Sequence, residues 1–145
     1  MNRILWLAVV AVVATGCAGK PPREAGPAPK SEARSEAPCA PGGTELEVVA
    51  LHYERGELPT FDADCLAAPA GQAFTIELTN DDLLEHNVSI YAEPGASYSE
   101  ALFHGELFRG PGETRTYEVP AMDAGTYEFR CDEHLSTMKG VFVVA

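Results

Sequence analysis

Gly125-Thr-Tyr-Glu-Phe-Arg-Cys131-Asp-Glu-His134-Leu-Ser-Thr-Met138-Lys-Gly140-Val-Phe-Val-Val144 is the stretch on which the reading of this chain turns. Gly125 to Cys131 reads as a strand that runs into a cysteine, and Gly140 to Val144 as the strand that follows it. Between them the spacing is Cys-x2-His-x3-Met, so a thiolate, an imidazole and a thioether fall within eight residues. One tight loop between two strands thus carries three soft donors.

Upstream, the same period of two recurs. Ala73 to Thr79 alternates cleanly through Phe74, Ile76 and Leu78, His86 to Tyr91 alternates again, and Glu45 to Tyr53 does so in part. Thr114 to Val119 completes the set. Turn signals separate these runs at Pro69-Ala-Gly71, Asn80-Asp-Asp82, Glu93-Pro-Gly95, Gly110-Pro-Gly112 and Asp123-Ala-Gly125. Short strands at about ten-residue spacing predict an all-β sandwich or barrel. Tyr98 to Phe103 is the one segment expected to form a short helix. No internal repeat is present.

The donor set specifies a metal. Calcium and magnesium want oxygen ligands, whereas mixed sulfur and imidazole donors suit copper. His86, on a strand 45 residues before Cys131, offers a second imidazole. Two His, one Cys and a weak axial Met form the ligand set of a blue-copper electron-transfer site. Cu(II) prefers tetragonal nitrogen and oxygen surroundings and Cu(I) prefers soft, low-coordinate ones. A trigonal His2Cys plane with a distant sulfur lies between them, so little needs to move when an electron arrives.

On these residues the chain resembles the cupredoxins, small plastocyanin- and azurin-like blue-copper domains. The resemblance spans residues 44–145 and rests on Phe61 to Gly71, Asn80 to Ile90, Gly125 to Cys131, His134 to Met138 and Gly140. It implies a Greek-key β-sandwich, with His86, Cys131 and His134 as equatorial ligands and Met138 as the axial one. It implies that Asn87 hydrogen-bonds between the ligand-bearing segments, and that electrons pass through the edge of His134. Leu135 is a departure, standing where many relatives carry proline, and it bears on the redox potential. His52 and His104 match no part of the pattern and are read as ordinary surface or strand positions.

The N-terminus reads as a targeting segment. Arg3 precedes an apolar run, Ile4 to Ala14, whose eleven residues are too few to span a membrane and fit a secretory signal. Ala14-Thr15-Gly16-Cys17 resembles a bacterial lipobox, in which Cys17 is lipidated and residues 1–16 are removed. Lipid chains would hold the protein on a membrane facing an exported, periplasmic or extracellular, compartment. Residues 18–43 hold six of the eleven prolines, show no apolar periodicity and read as a tether. As a coil it reaches roughly 30 Å.

An exported location permits disulfides. With Cys17 lipidated and Cys131 on copper, Cys39 and Cys65 are the remaining pair. A Cys39–Cys65 disulfide and two unpaired thiols, with Cys65 packed as a small hydrophobe, both stay open.

Charge narrows the partners. The chain carries −12, and residues 44–145 carry five Lys and Arg against nineteen Asp and Glu. Such a surface argues against nucleic acid. It suits either plain solubility or the steering of a basic redox protein, a cytochrome or a copper enzyme, toward a monomeric carrier. No serine-hydrolase motif or His-Glu-x-x-His helix is present, a binuclear site would want a second loop cysteine, and a multicopper oxidase would want His-x-His pairs. The expectation is an electron carrier and not an enzyme. A copper chaperone or storage module is the rival, and it lacks the Met-rich or His-rich tracts that role would favour.

Overall fold

The computed structural model describes residues 39–52 and 56–145. The expected signal segment, Cys17 and most of the expected tether lie outside the described residues. Among the described residues, no helix is long and apolar enough to cross a membrane.

Among the described residues eleven strands form: β1 (Glu45–Leu51), β2 (Thr60–Phe61), β3 (Cys65–Ala68), β4 (Phe74–Asn80), β5 (Glu85–His86), β6 (Ser89–Tyr91), β7 (Ala101–His104), β8 (Phe108–Arg109), β9 (Glu113–Val119), β10 (Gly125–Arg130) and β11 (Lys139–Val144). One sheet runs β2-β1-β4-β9, a second runs β3-β11-β10-β6-β7, and β5 pairs with β8. The expected sandwich is therefore present.

Its core follows from the alternation. Leu46, Val48 and Ala50 of β1 and Phe74, Ile76 and Leu78 of β4 point inward and are buried. They meet the inner face of the other sheet, where Ile90, Phe129, Phe142 and Val144 are buried. Ring pairs bridge the two layers: Phe61 and Phe129 at 5.5 Å between centroids, Phe74 and Phe142 at 5.3 Å, and Phe103 and Tyr117 at 6.1 Å. Each such pair adds about 0.5–1.5 kcal/mol beyond its buried area.

The structure departs from the sequence reading at Tyr98 to Phe103. Only Tyr98–Glu100 is helical, a single 3-10 turn, and Ala101–His104 is strand β7. The pairing of β7 with β6, through an irregularity between Ile90 and Tyr91, overrides the local helix preference of Ala and Leu. The sequence reading also passes over β3. Its residues Leu66, Ala67 and Ala68 are all buried, so no polar alternation marks it. It lies parallel to β11, and a strand covered on both faces loses the period-two signature.

Cys39 and Cys65 form a disulfide that ties the segment before β1 to β3. Closing a loop of sequence separation 26 stabilises the fold by about 3.5 kcal/mol in the chain-entropy view. The double variant Cys39→Ala/Cys65→Ala is expected to lose about that much in urea denaturation of the metal-free protein. An unchanged midpoint would show the bridge to be energetically idle.

Candidate metal centre

Two neighbouring segments bring the donors to one end of the sandwich. The first begins at Asn80, the buried last residue of β4. Its side-chain amide donates to the carbonyls of Leu84 (2.9 Å) and Phe108 (3.2 Å), and its Oδ1 accepts the Asp82 N–H (2.8 Å). One polar side chain thereby shapes the loop that leads into His86. His86 then sits opposite Phe108 in the β5–β8 pair, fully buried.

The second segment is the loop from β10 to β11. Its ends are fastened by Cys131 N–H donating to the Met138 carbonyl at 2.9 Å, one step beyond the Arg130–Lys139 pair of the ladder. Inside, Met138 N–H donates to the His134 carbonyl at 3.0 Å, a single helical turn. That turn explains the x3 spacing: residues four apart on one turn face the same way. Cys131 and Met138 are fully buried, and His134 is half-buried.

The donor atoms converge. Cys131 Sγ lies 3.7 Å from His86 Nδ1 and 3.6 Å from His134 Nδ1, and all three ligand atoms fall within 4.8 Å of one another. The imidazole rings stand 4.8 Å apart at 48°. A metal held by nitrogen at about 2.0 Å and sulfur at about 2.3 Å, with angles near 110–120°, puts sulfur about 3.5–3.7 Å from each nitrogen. The observed spacing therefore fits one ion shared by a thiolate and two imidazoles.

Burial also sets the protonation of two of the donors. Burial pushes the Cys131 thiol above its ordinary value, against weaker opposing hydrogen bonds from the backbone of Asn87, Glu133 and His134. Burial, then the proximity of His86, pushes the His134 imidazole below its ordinary value. A neutral imidazole is a ready ligand, and the thiol is a group that a soft metal ionises on binding.

Asn87 joins the two segments. Its Oδ1 accepts the Asp132 N–H at 2.9 Å, and its Nδ2 donates to Asp132 Oδ2 (2.8 Å) and to the Gly105 carbonyl (2.9 Å). The Asp132 carboxylate also receives Ser89 Oγ at 2.7 Å and Tyr91 Oη at 2.5 Å, and His104 Nδ1 lies 3.2 Å away. Burial would raise this carboxyl, but donors from Ser89, Tyr91, Asn87 and His104 hold it below its usual range. Burial, then the contact with Asp132, pushes the Tyr91 hydroxyl up to about 12.

His104 therefore does more than its sequence context suggests, for it helps fix the residue after Cys131. The sequence reading also missed Asn80, Asp82, Ser89, Tyr91 and Asp132. Of these, only the position of Asp132 beside the loop cysteine was a usable signal. His52 takes no part in the donor cluster.

A family model described as a cupredoxin-like domain matches residues 44–144. Among solved structures, an auracyanin from the photosynthetic bacterium Roseiflexus castenholzii is 25% identical, with a TM-score of 0.57 over 70% of this chain and 97% of that one. Auracyanin A, described as a "blue" copper protein from Chloroflexus aurantiacus, is 25% identical, with a TM-score of 0.57 over 72% and 100%. Rusticyanin from Thiobacillus ferrooxidans, at 20% identity and a TM-score of 0.56 over 71% and 79%, shares the fold. With two facing sheets, a loop of Cys, His and Met donors and a family match over nearly all of the folded region, this chain belongs to the cupredoxin-like family.

Proposed function

We propose that this protein is a blue-copper electron carrier, with His86, Cys131, His134 and Met138 holding one copper ion. The observation that carries the reading is the convergence of Cys131 Sγ on two imidazole Nδ1 atoms at 3.6 and 3.7 Å, with Met138 buried on the same loop. When bound, copper supplies a one-electron Cu(II)/Cu(I) couple. The protein's part is to keep the donors still. Cys131 and His134 are each tied to Met138 by a backbone hydrogen bond, and Asn87 clamps that loop to the His86 segment. Three of the four ligands are fully buried, which favours electron exchange over ion exchange and so weighs against a chaperone or storage role.

Half-buried His134, followed by exposed Leu135, is the port for the electron. The acidic domain suits a basic redox partner, met through a small transient contact. Lipid on Cys17 and the proline-rich segment would hold the monomer near an exported membrane face, within reach of that partner.

An optical and electron paramagnetic resonance titration of the protein with Cu(II) tests the reading. The expected result is an intense blue thiolate-to-copper band saturating at one equivalent, with narrow copper hyperfine splitting. A pale product with an ordinary tetragonal signal would reject it. Met138→Leu is expected to keep the colour and raise the reduction potential, because removing a weak sulfur donor disfavours Cu(II). An unchanged potential in voltammetry would take Met138 out of the axial position.

A further inference from the structure

The imidazole of His86 has a second face, which meets a buried carboxylate. Its Nε2 lies 2.9 Å from Asp82 Oδ2, and the two side chains are 0% and 1% exposed. The other oxygen, Asp82 Oδ1, accepts the Leu83 N–H at 2.5 Å. Asp82 is itself set in place by its own N–H donating to Asn80 Oδ1. Asn80 in turn is anchored to the carbonyl of Phe108, the residue paired with His86. The carboxylate is thus fixed by the same loop that positions the ligand, and its second oxygen faces His86 Nε2.

We propose that Asp82 is a positioning residue for the metal centre, fixing the His86 tautomer and biasing the bound ion toward Cu(II). The inference rests on the copper reading above. A carboxylate is an acceptor, so the proton of neutral His86 belongs on Nε2. That leaves the Nδ1 lone pair facing Cys131 Sγ, 3.7 Å away. A carboxylate behind a metal-bound imidazole also raises the basicity of that ligand. Its negative charge, one ring away from the ion and out of water, favours the doubly over the singly charged metal. Asp82 therefore lowers the reduction potential relative to the same site with a neutral acceptor.

Two measurements on the full chain test this. In the metal-free protein, long-range proton–nitrogen NMR of His86 is expected to place the ring proton on Nε2. A proton on Nδ1 would overturn the tautomer argument, and this readout stands whether or not the copper reading does. In the copper-loaded protein, Asp82→Asn is expected to weaken Cu(II) binding about 10–100-fold, with a smaller loss for Cu(I). For a one-electron couple each tenfold difference between the two losses raises the potential by about 59 mV. Equal losses for both oxidation states, with an unchanged potential, would reduce Asp82 to packing and sink the proposal. Should Asp82→Asn fail to fold, the tautomer of the native chain still decides the positioning claim. A native chain that takes up no blue copper would instead count against the function reading, with the tautomer measured independently.

Discussion

Cys131→Ser is expected to abolish the blue colour of the copper-loaded protein while the sandwich stays folded. Cys131 Sγ is the vertex shared by both imidazole contacts, so no other side chain can take its place. A serine hydroxyl is a hard donor that stays protonated and supplies no low-energy charge transfer to copper, so the whole band is lost. The fold survives because residue 131 joins the ladder through its backbone N–H to the Met138 carbonyl, which serine keeps. A buried hydroxyl without a full partner set costs the metal-free protein about 1–3 kcal/mol. Optical spectra with Cu(II) and circular dichroism of the metal-free variant separate the two effects. A variant that stayed blue would remove Cys131 from the ligand set.

Phe129→Ala is expected to cost about 3–5 kcal/mol, the range for emptying a buried aromatic site. For a domain of this size that lowers the Tm by roughly 15–25 °C. Phe129 is fully buried on the inner face of β10, two residues before Cys131, with its ring 5.5 Å from that of Phe61 across the sandwich. The cavity would collapse poorly, because the packing is tight on the far side too. A Cβ built on Gly140, the cross-strand partner of Phe129, would come within 2.4 Å of the Phe129 ring and of the Asp64 carbonyl. Gly140 is glycine for lack of room, and the ring fills the space that a side chain would take. Thermal and urea denaturation of the metal-free protein measure the loss. A fall of less than about 1 kcal/mol would show that the two sheets close over the gap.

The two substitutions probe different levels of the same arrangement. Phe129 holds β10 against the opposite sheet, and β10 delivers Cys131 to the site. Weakening the core therefore loosens the donor loop from below, whereas Cys131→Ser removes the donor and leaves its support intact.

Much of this was already written in local sequence. The alternation in β1 and β4 needs only the period of two that a half-buried strand imposes. The loop donors Cys131, His134 and Met138 were legible because one turn between two strands fixes their spacing within eight residues. His86 was legible only beside that loop, since a single strand histidine carries little information by itself.

Tertiary structure decided the rest, and the reason is distance along the chain. Strand β3, parallel to β11, is buried at Leu66, Ala67 and Ala68 alike, so it loses the alternation that sequence reading relies on. Ala101–His104 is a strand because β6 lies beside it, against its own propensity. The support of Asp132 joins Asn87, Ser89, Tyr91 and His104 across 28 to 45 residues, and only sheet register sets those encounters. Asp82 and His86 stand four residues apart, yet no helix brings them together. Their contact exists because Asn80 ties down the loop between them, a choice made by buried hydrogen bonds that must be satisfied. The sequence alone thus determined the sandwich and the identity of the donors. The folded chain determined what holds each donor and what charge lies behind it, because those contacts join residues that only the packing of strands and loops makes neighbours.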